Sequence, residues 1–486
     1  MLSIENLKIK YSNINFNKEY IDVINTINDC EAYNKKCMLF VDGGAGTGKS
    51  VLLKILANEL VDKNTIVCST TGISASILQE NDVTATTLHS ALGIKISSIY
   101  EKNNIEITQF DKLKKCDYLI IDEVSMLRID LFEYVLCMFE KINHIPNIIL
   151  FGDVLQLKPV LSNDLKIYFE KKYNGNCYFF NSYLYKYYDF KKIELITTYR
   201  QNDKTFIDLL NRLRFGKLTS KDCDIINSRY FDKKTIDTWK KENIAIELVS
   251  TNKEVKQINN NNINADNLVI VESSIKNDFY NTILGKSEKY LSKLVLKINS
   301  PVIIFANSKN KEYVNGDVGT FKGLSSDESY AIVELKNKKR VYVSKVTIEA
   351  KKIDFVIDEK TNSIKHKEKI IASWTNFPLS LYYACTIHKS QGLTLDKGII
   401  NVHNCNSNSE LYVTLSRFKT INDFMITEPI NINQLKNNRE PIDFLNDELP
   451  HQKEIICFFE SGIESALETY KDLSRKNIID IIKKIN

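Results

Sequence analysis

Residues 38–56 read MLFVDGGAGTGKSVLLKIL. A short apolar run, Met38 to Val41, precedes a glycine turn, and an apolar-periodic segment begins near Lys49, which predicts strand, loop and helix in that order. Four of the chain's 16 glycines, Gly43, Gly44, Gly46 and Gly48, fall within six residues. With no Cβ at those positions, successive backbone N–H groups can curl around a phosphate, and Ala45 and Thr47 complete the loop. Lys49 is placed to meet the β and γ phosphates, the Ser50 hydroxyl to bind Mg²⁺, and the helix N-terminus adds its partial positive charge. A flexible glycine hinge would not require lysine and serine at this spacing between strand and helix. The stretch predicts a site for a nucleoside triphosphate.

At 486 residues the chain is long enough for two to four domains, each with its own core. Its 66 basic and 61 acidic side chains leave a net charge of +5, so no global field selects a polyanion and any nucleic-acid track must be local. The 10 cysteines are scattered without C-x-x-C spacing and the six histidines do not cluster with them, which indicates neither a zinc site nor a disulfide framework. Reduced, buried thiols suit an intracellular compartment, cytoplasm or nucleus, in a chain of viral or bacterial origin or otherwise. The N-terminal MLSIENLKIKYSN lacks an apolar signal core and no apolar run approaches the length of a membrane span, so the expectation is a soluble protein with no membrane partner. The Asn-rich INNNNINADN at 258–267 reads as surface composition of an A·T-rich genome.

FNKEYIDVINTIN (16–28) predicts a helix with Asn17 as N-cap and Tyr20, Val23, Ile24 and Ile27 on one face. Beyond the glycine loop, TIVCSTTGISASIL (65–78) reads as strand, turn and helix. KKCDYLIIDEVSML (114–127) ends its apolar run in Asp122 and Glu123, and PNIILFGDVLQLKPV (146–160) ends in Gly152, Asp153 and Gln156. Strands alternating with helices and ending in polar residues predict a parallel sheet with its ligand at the carboxyl ends. At a strand tip Asp122 can hold Mg²⁺ through its water shell, and Glu123 can polarise an attacking water. A second α/β unit begins near Ile193, and AIELVSTNKEVKQIN (245–259) repeats the strand, turn and helix pattern. Residues 294–375 change to short alternating strands with a turn signal at Asn315-Gly316, predicting a small β-barrel or curled sheet. The α/β pattern resumes at 381–402, and the end of the chain reads as helical.

TTLHSALGI (86–94), LIIDEVSML (119–127), GDVLQLKPV (152–160), TTYRQ (197–201), TIHKSQGLTLD (386–396) and YVTLSR (412–417) follow the glycine loop in a fixed order. Together they resemble the superfamily 1, subgroup B helicases of the PIF-type and RecD-like branch, which includes Dda-like phage enzymes; the resemblance spans roughly residues 15–430. It implies an α/β fold of two RecA-like P-loop domains with parallel sheets, plus a small SH3-like β-barrel inserted in the second. The implied division is 1–190 for the first domain, with a short wedge insertion at about 93–115; 191–293 and 376–430 for the second; 294–375 for the SH3-like domain; and 431–486 for a helical extension. The implied activity is that of an ATP-dependent DNA helicase that moves 5′ to 3′ on single-stranded DNA and unwinds duplex. ATP and Mg²⁺ would be its cofactors and single-stranded and forked DNA its partners, with replication, recombination or repair proteins beside it and the chain itself a monomer.

The resemblance assigns catalysis to Lys49, Asp122, Glu123, Gln156, Arg200 and Arg417, with Gln156 sensing the γ phosphate and the two arginines acting as fingers. A guanidinium can neutralise the charge that spreads over the transferring phosphoryl group. Gly392 and Thr394 would line the nucleotide cleft. Thr71, His89, Ser90, Thr251, Asn252, His388, Lys389 and Ser390 would face DNA, where short hydroxyls and amides suit phosphate contacts, although the same residue types also cap helices. Two positions depart from the family pattern. Tyr20 stands where a glutamine reads adenine, either to stack on the base or simply to be buried, and Lys158 replaces a second proline, where it can add a phosphate contact. A translocase that strips proteins without unwinding, a nucleotide-switched binding protein with negligible turnover, and an RNA substrate are the other readings; the complete acid pair and both arginines count against the second.

Overall fold

The computed structural model describes residues 1–446 apart from 73, 76–77, 79–82, 96–98, 100–104, 106, 162, 202, 244, 264–266, 282–289, 309, 311, 314–316, 336–337, 359–362 and 406, and apart from the side chains of 163–164, 241, 243, 281, 351–369 and 404. Part of the expected wedge, the Asn315-Gly316 turn and residues 447–486 of the C-terminal extension therefore lie outside the described residues. By its contacts the described chain separates into two compact units: residues 1–232 with 387–396 and the chain from 400 onward, and residues 233–386 with 397–399.

The first unit is built on six strands: β1 (Met38–Gly43), β2 (Thr65–Ser69), β3 (Ala85–Thr87), β4 (Tyr118–Asp122), β5 (Asn147–Gly152) and β6 (Lys191–Leu195). They lie in the order β3-β2-β4-β5-β1-β6, and every neighbouring pair is parallel. A parallel sheet is covered on both faces, which is why β1, β4 and β5 are near-continuous apolar runs. Successive side chains alternate between the two faces. Met38 and Phe40 join Leu119, Ile121, Ile148 and Leu150 in a core with helix Ile129–Lys141. Leu39 and Val41 join Ile120, Ile149 and Phe151 in a second core under helices Lys18–Ala32 and Lys49–Glu59. The expected N-cap is present, with the Asn17 side chain accepting from the Tyr20 amide at 2.9 Å and Val23, Ile24 and Ile27 buried below it.

Strand β6 differs from the sequence expectation, which placed it at the head of the second α/β unit. It is the edge of the first sheet and pairs with β1, Val41 opposite Ile193. Its sequence KKIEL is polar enough to pass for a connection because an edge strand needs only one apolar side. The segments 387–396 and 400 onward likewise group by contacts with the first 232 residues.

An aromatic cluster closes the Phe40 side of the sheet. Phe444, from the helix Arg439–Leu445, stacks on Phe180 at 4.1 Å with planes 6° apart and lies 5.6 Å from Tyr185 and 6.0 Å from Phe40. Lys192 Nζ donates to the Leu445 carbonyl at 2.6 Å and so holds the helix end.

The second unit contains the change to alternating strands that the sequence predicts. Arg340–Ser344, Tyr330–Leu335, Val318–Leu324, Pro301–Ile304 and Leu379–Leu381 form a five-stranded antiparallel sheet in that order. Alternate residues of each strand, among them Phe321, Val333 and Val343, fill its core. The antiparallel region reaches beyond 294–375 on both sides, since Leu268–Glu272 pairs with Lys293–Lys297 and Ser274–Lys276 joins the long hairpin Val346–Asp358/Ser363–Asn376. A further sheet places Ile246–Val249 in parallel with Ala384–Thr386 and beside Gly398–Ile400. The α/β class with two sheets of parallel strands plus antiparallel sheets is thus present.

Because Phe444 is 7% exposed and fills a stacked aromatic site, Phe444→Ala should lower the stability of the first unit by about 3–5 kcal/mol. A fall of the denaturant midpoint with unchanged slope checks it.

Candidate active site

The loop at the carboxyl end of β1 takes its shape from two glycines in the left-handed region, Gly46 at φ +81° and Gly48 at φ +83°. A Cβ on Gly46 would meet Arg200 Cβ at 2.6 Å, and one on Gly48 would meet the Tyr20 hydroxyl at 2.2 Å, so both glycines are required by close approach as well as by φ. Gly48 is the N-cap of helix Lys49–Glu59, and Thr47 Oγ1 donates to the Gly44 carbonyl at 2.9 Å. Lys49 Nζ donates to the carbonyls of Gly43 and Gly44 at 2.5 and 2.9 Å. Burial lowers the Lys49 ammonium below its ordinary range, although Asp153, Glu123 and Asp42 pull the other way.

A pocket of about 410 Å³ opens over this loop. Its floor is Ala45 to Val51, and its walls bring in Glu123, Gln156, Tyr199, Arg200, Gly392, Thr394, Arg417 and Lys419. Residues that the sequence reading collected from six separate motifs therefore meet in one cavity, all within the first compact unit.

The acid pair occupies the end of β4. Burial, and then the adjacent Glu123, push the Asp122 carboxyl up to about 7. Glu123 itself sits at φ +54°, a conformation costing a non-glycine residue about 1–2 kcal/mol. Hydrogen bonds hold it there: Thr70 Oγ1 donates to its carbonyl at 2.7 Å, and Gln391 Nε2 to its carboxylate at 3.1 Å. Gln391 Nε2 also reaches Ser125 Oγ and Gln156 Oε1, each at 3.2 Å, while Gln156 Nε2 donates to Asp153 Oδ2 at 3.3 Å. Glu123 and Gln156 are thus fixed by one amide from the TIHKSQG stretch.

The two arginines share Ser416. Arg200 Nη1 donates to its carbonyl and Arg417 Nη2 to its hydroxyl, both at 3.0 Å. Arg417 Nε donates to Val413 O at 2.8 Å, and its remaining nitrogen reaches the carbonyls of Ser390 and Leu393 at 3.4 Å. Burial, and then the charge of Arg200, lower the Arg417 guanidinium to about 10, which leaves it charged at neutral pH. Gln201 Nε2 donates to Ser416 O and Phe418 O and locks TTYRQ to the YVTLSR segment.

A sequence model of the PIF1-like helicases matches residues 15–224. The ATP-dependent DNA helicase Pif1 of Campylobacter jejuni is 28% identical over 421 residues, covering 81% of this chain and 90% of the relative. Over this length the chain is similar to the PIF1-like helicases. The crystal structure of Bacteroides Pif1 in complex with ADP-AlF3 and single-stranded DNA is 28% identical, with a TM-score of 0.70 over 89% of this chain and 97% of that one. A structure of two coordinating Pif1 helicases unwinding forked double-stranded DNA is similarly placed, at 28% identity and TM-score 0.69 with the same coverage.

Tyr20, the first of the two departures from the family pattern, is buried. Tyr20 is 1% exposed, and its hydroxyl donates to the Gly48 carbonyl at 2.7 Å, so it braces the loop. Residues expected towards DNA are in several places. Thr71 Oγ1 bonds Ser74 Oγ at 2.8 Å, and Thr87 and Ser90 pair their hydroxyls at 3.1 Å. His89 and His388 are half-buried, and burial lowers both imidazoles. Ser390 is fully buried with its hydroxyl on Ile387 O. Lys389 and Lys158 are exposed. Thr251 caps helix Asn252–Asn261 in the second unit through a reciprocal box with Glu254.

Several residues of the site were not assigned from sequence. Arg214, 6% exposed, donates to Asp42 at 2.7 Å, Glu194 at 3.0 Å and Asp153 at 3.1 Å. Burial works against its charge, yet Asp153 and Asp42 raise it well above the ordinary guanidinium range. Tyr412 donates to Asp153 Oδ2 at 2.9 Å and accepts the Ala45 amide at 2.7 Å, tying the loop to the helix Asn408–Leu415 that leads to Arg417. Asp42 and Asp153 end buried strands, as Asp122 does, and that signal was available. Arg214 gives none, because it reads as an ordinary basic residue in the last turn of an amphipathic helix.

The raised Asp122 has a consequence with a definite sign. The native chain holds a proton that the unfolded chain, with an ordinary value of 3.8, has already released. Stability of the nucleotide-free protein should therefore fall as pH rises from the ordinary value to about 7, and Asp122→Asn should flatten that part of the profile, read as denaturation midpoint against pH.

Proposed function

We propose that this chain is an ATP-dependent DNA helicase that translocates 5′ to 3′ on single-stranded DNA and separates duplex ahead of it. The observation that carries the reading is the convergence of Lys49, Glu123, Gln156, Arg200 and Arg417 on one pocket over the glycine loop. The names of its relatives agree: ATP-dependent DNA helicase for the Campylobacter protein, ADP-AlF3 with single-stranded DNA for the Bacteroides structure, and forked duplex unwinding for the third.

In this reading the loop amides and Lys49 hold the triphosphate, and Lys49 exchanges its two carbonyl partners for phosphate oxygens. Glu123 takes the proton of the attacking water, fixed by its bond to Gln391. Gln156 meets the γ phosphate, and Arg200 and Arg417 neutralise charge on the transferring group, an effect worth ~10³–10⁵ in rate. The donor set also suits Mg²⁺: among the described residues no three carboxylate, histidine or cysteine side chains gather to cage a metal, whereas Ser50 and Asp122 are the few protein donors that Mg²⁺ takes beside phosphate and water. When bound, the ion would draw charge from the β and γ oxygens.

Movement follows from coupling. Arg200, Gln201 and Arg417 are joined through Ser416, so tightening around a γ phosphate and its release shift these segments together. With a second RecA-like domain that begins beyond the edge strand β6, that shift alternates two grips on DNA. Lys389 and Lys158 are exposed candidates for phosphate contact, and the antiparallel sheet of the second unit supplies the SH3-like part. Separating a base-pair step costs ~0.6–2.2 kcal/mol, so one hydrolysis suffices for about one step.

Labelled duplexes carrying a 5′ or a 3′ single-stranded tail test this directly. ATP-dependent strand release is expected from the 5′-tailed substrate alone; release only from the 3′ tail contradicts the polarity, and release from neither contradicts unwinding. Lys49→Ala should abolish phosphate release while strand binding persists.

A further inference from the structure

We propose that this site accepts purine and pyrimidine nucleoside triphosphates alike, holding the base by its face on Tyr199 and not reading its edge. The inference rests on the ATPase reading above and concerns its choice of fuel.

The direction of the nucleotide is set by the pocket. Glu123, Gln156 and Arg417 mark the γ end, so a triphosphate laid along the loop delivers its nucleoside to the opposite end, past Gly48 to Val51 and Tyr199. Beside the exposed Lys419, which can meet an acceptor on any base, three polar side chains around Tyr199 are engaged within the protein. The Tyr20 hydroxyl is on Gly48 O at 2.7 Å, and its ring is buried. Asn17 accepts the Tyr20 amide at 2.9 Å and donates to the Tyr199 hydroxyl at 3.1 Å. Glu19 accepts from Thr197 Oγ1 at 3.2 Å. Gln156, the one side-chain amide in the described wall of the pocket, is bonded to Asp153 and Gln391 at the γ end.

What Tyr199 offers a base is a ring. Tyr199 is 43% exposed, and its backbone N–H donates to Gly46 O at 2.8 Å. Its Cδ2 lies 3.4 Å from where a Gly48 Cβ would be, so the ring edge rests on the loop. The Tyr199 hydroxyl, held by Asn17 and Asn15 O, keeps the ring in place. Discrimination by hydrogen bonds to an edge can reach ~10⁴–10⁵, whereas apolar contact separates substrates by only ~10–200-fold. Stacking tolerates every base because each has a π face.

Phosphate release by the full chain, with single-stranded DNA in excess, is to be measured with ATP, GTP, CTP and UTP in turn. The expected kcat/KM values lie within about tenfold of one another. Tyr199→Ala should raise KM for all four in similar proportion, by about tenfold. A preference for ATP of about a hundredfold or more overturns the inference and leaves the helicase reading standing. So does a Tyr199→Ala chain whose KM values are unmoved. Absence of turnover with any of the four overturns the ATPase reading, and this inference with it.

Discussion

One buried guanidinium holds the catalytic end of the first sheet together. Arg214 bonds Asp42 at the end of β1, Asp153 just past β5, and Glu194 in β6. Three carboxylates at neighbouring strand tips would repel one another and any triphosphate above them; the arginine among them offsets part of that charge and ties the three tips together. Removing one partner from such a buried cluster costs about 3–5 kcal/mol, because the remaining charges cannot reach water. Asp153 passes the constraint on, since its second oxygen accepts from Tyr412 and Gln156. The position of the glycine loop, of Gln156 and of the helix leading to Arg417 thus all refer back to one side chain.

The second constraint is strain at Glu123. A left-handed backbone there aims the carboxylate into the pocket, and it persists because Thr70 and Gln391 grip it from either side. Gln391 is itself only partly satisfied, as its Oε1 is buried with no hydrogen-bond partner among the described residues. Such an amide is poised to exchange partners. It joins Glu123 to a stretch, TIHKSQG, that also supplies two exposed or half-exposed basic side chains, Lys389 and His388. Coupling between fuel and strand needs a link of this kind.

Much of this was legible in the sequence because it is local. The glycine loop, the Asn17 cap, the apolar strands and the acid pair each follow from residues within one or two turns of one another, and the order of the motifs was enough to gather Arg200 and Arg417 to the same pocket. What was not legible is what depends on pairing at a distance. Strand β6 looks like a polar connection until it is seen at a sheet edge. Arg214 is indistinguishable from a solvated helix-end arginine until three strand tips surround it. Ser390, expected to reach outward, turns its hydroxyl back to its own helix, since serine satisfies a nearby carbonyl more readily than a distant ligand. Tyr20 carries the family's departure in plain view, but only its bond to Gly48 O decides between stacking and bracing.

The proposed function requires that hydrolysis occur in the pocket where Arg417 and Lys49 meet, with the arginine acting on the transition state. Single-turnover phosphate release from saturating ATP, measured for Arg417→Ala beside the unaltered chain and with nucleotide affinity determined separately, tests it most directly. The expected rate is lowered by ~10³-fold or more with affinity little changed. Undiminished release from the Arg417→Ala chain would contradict it.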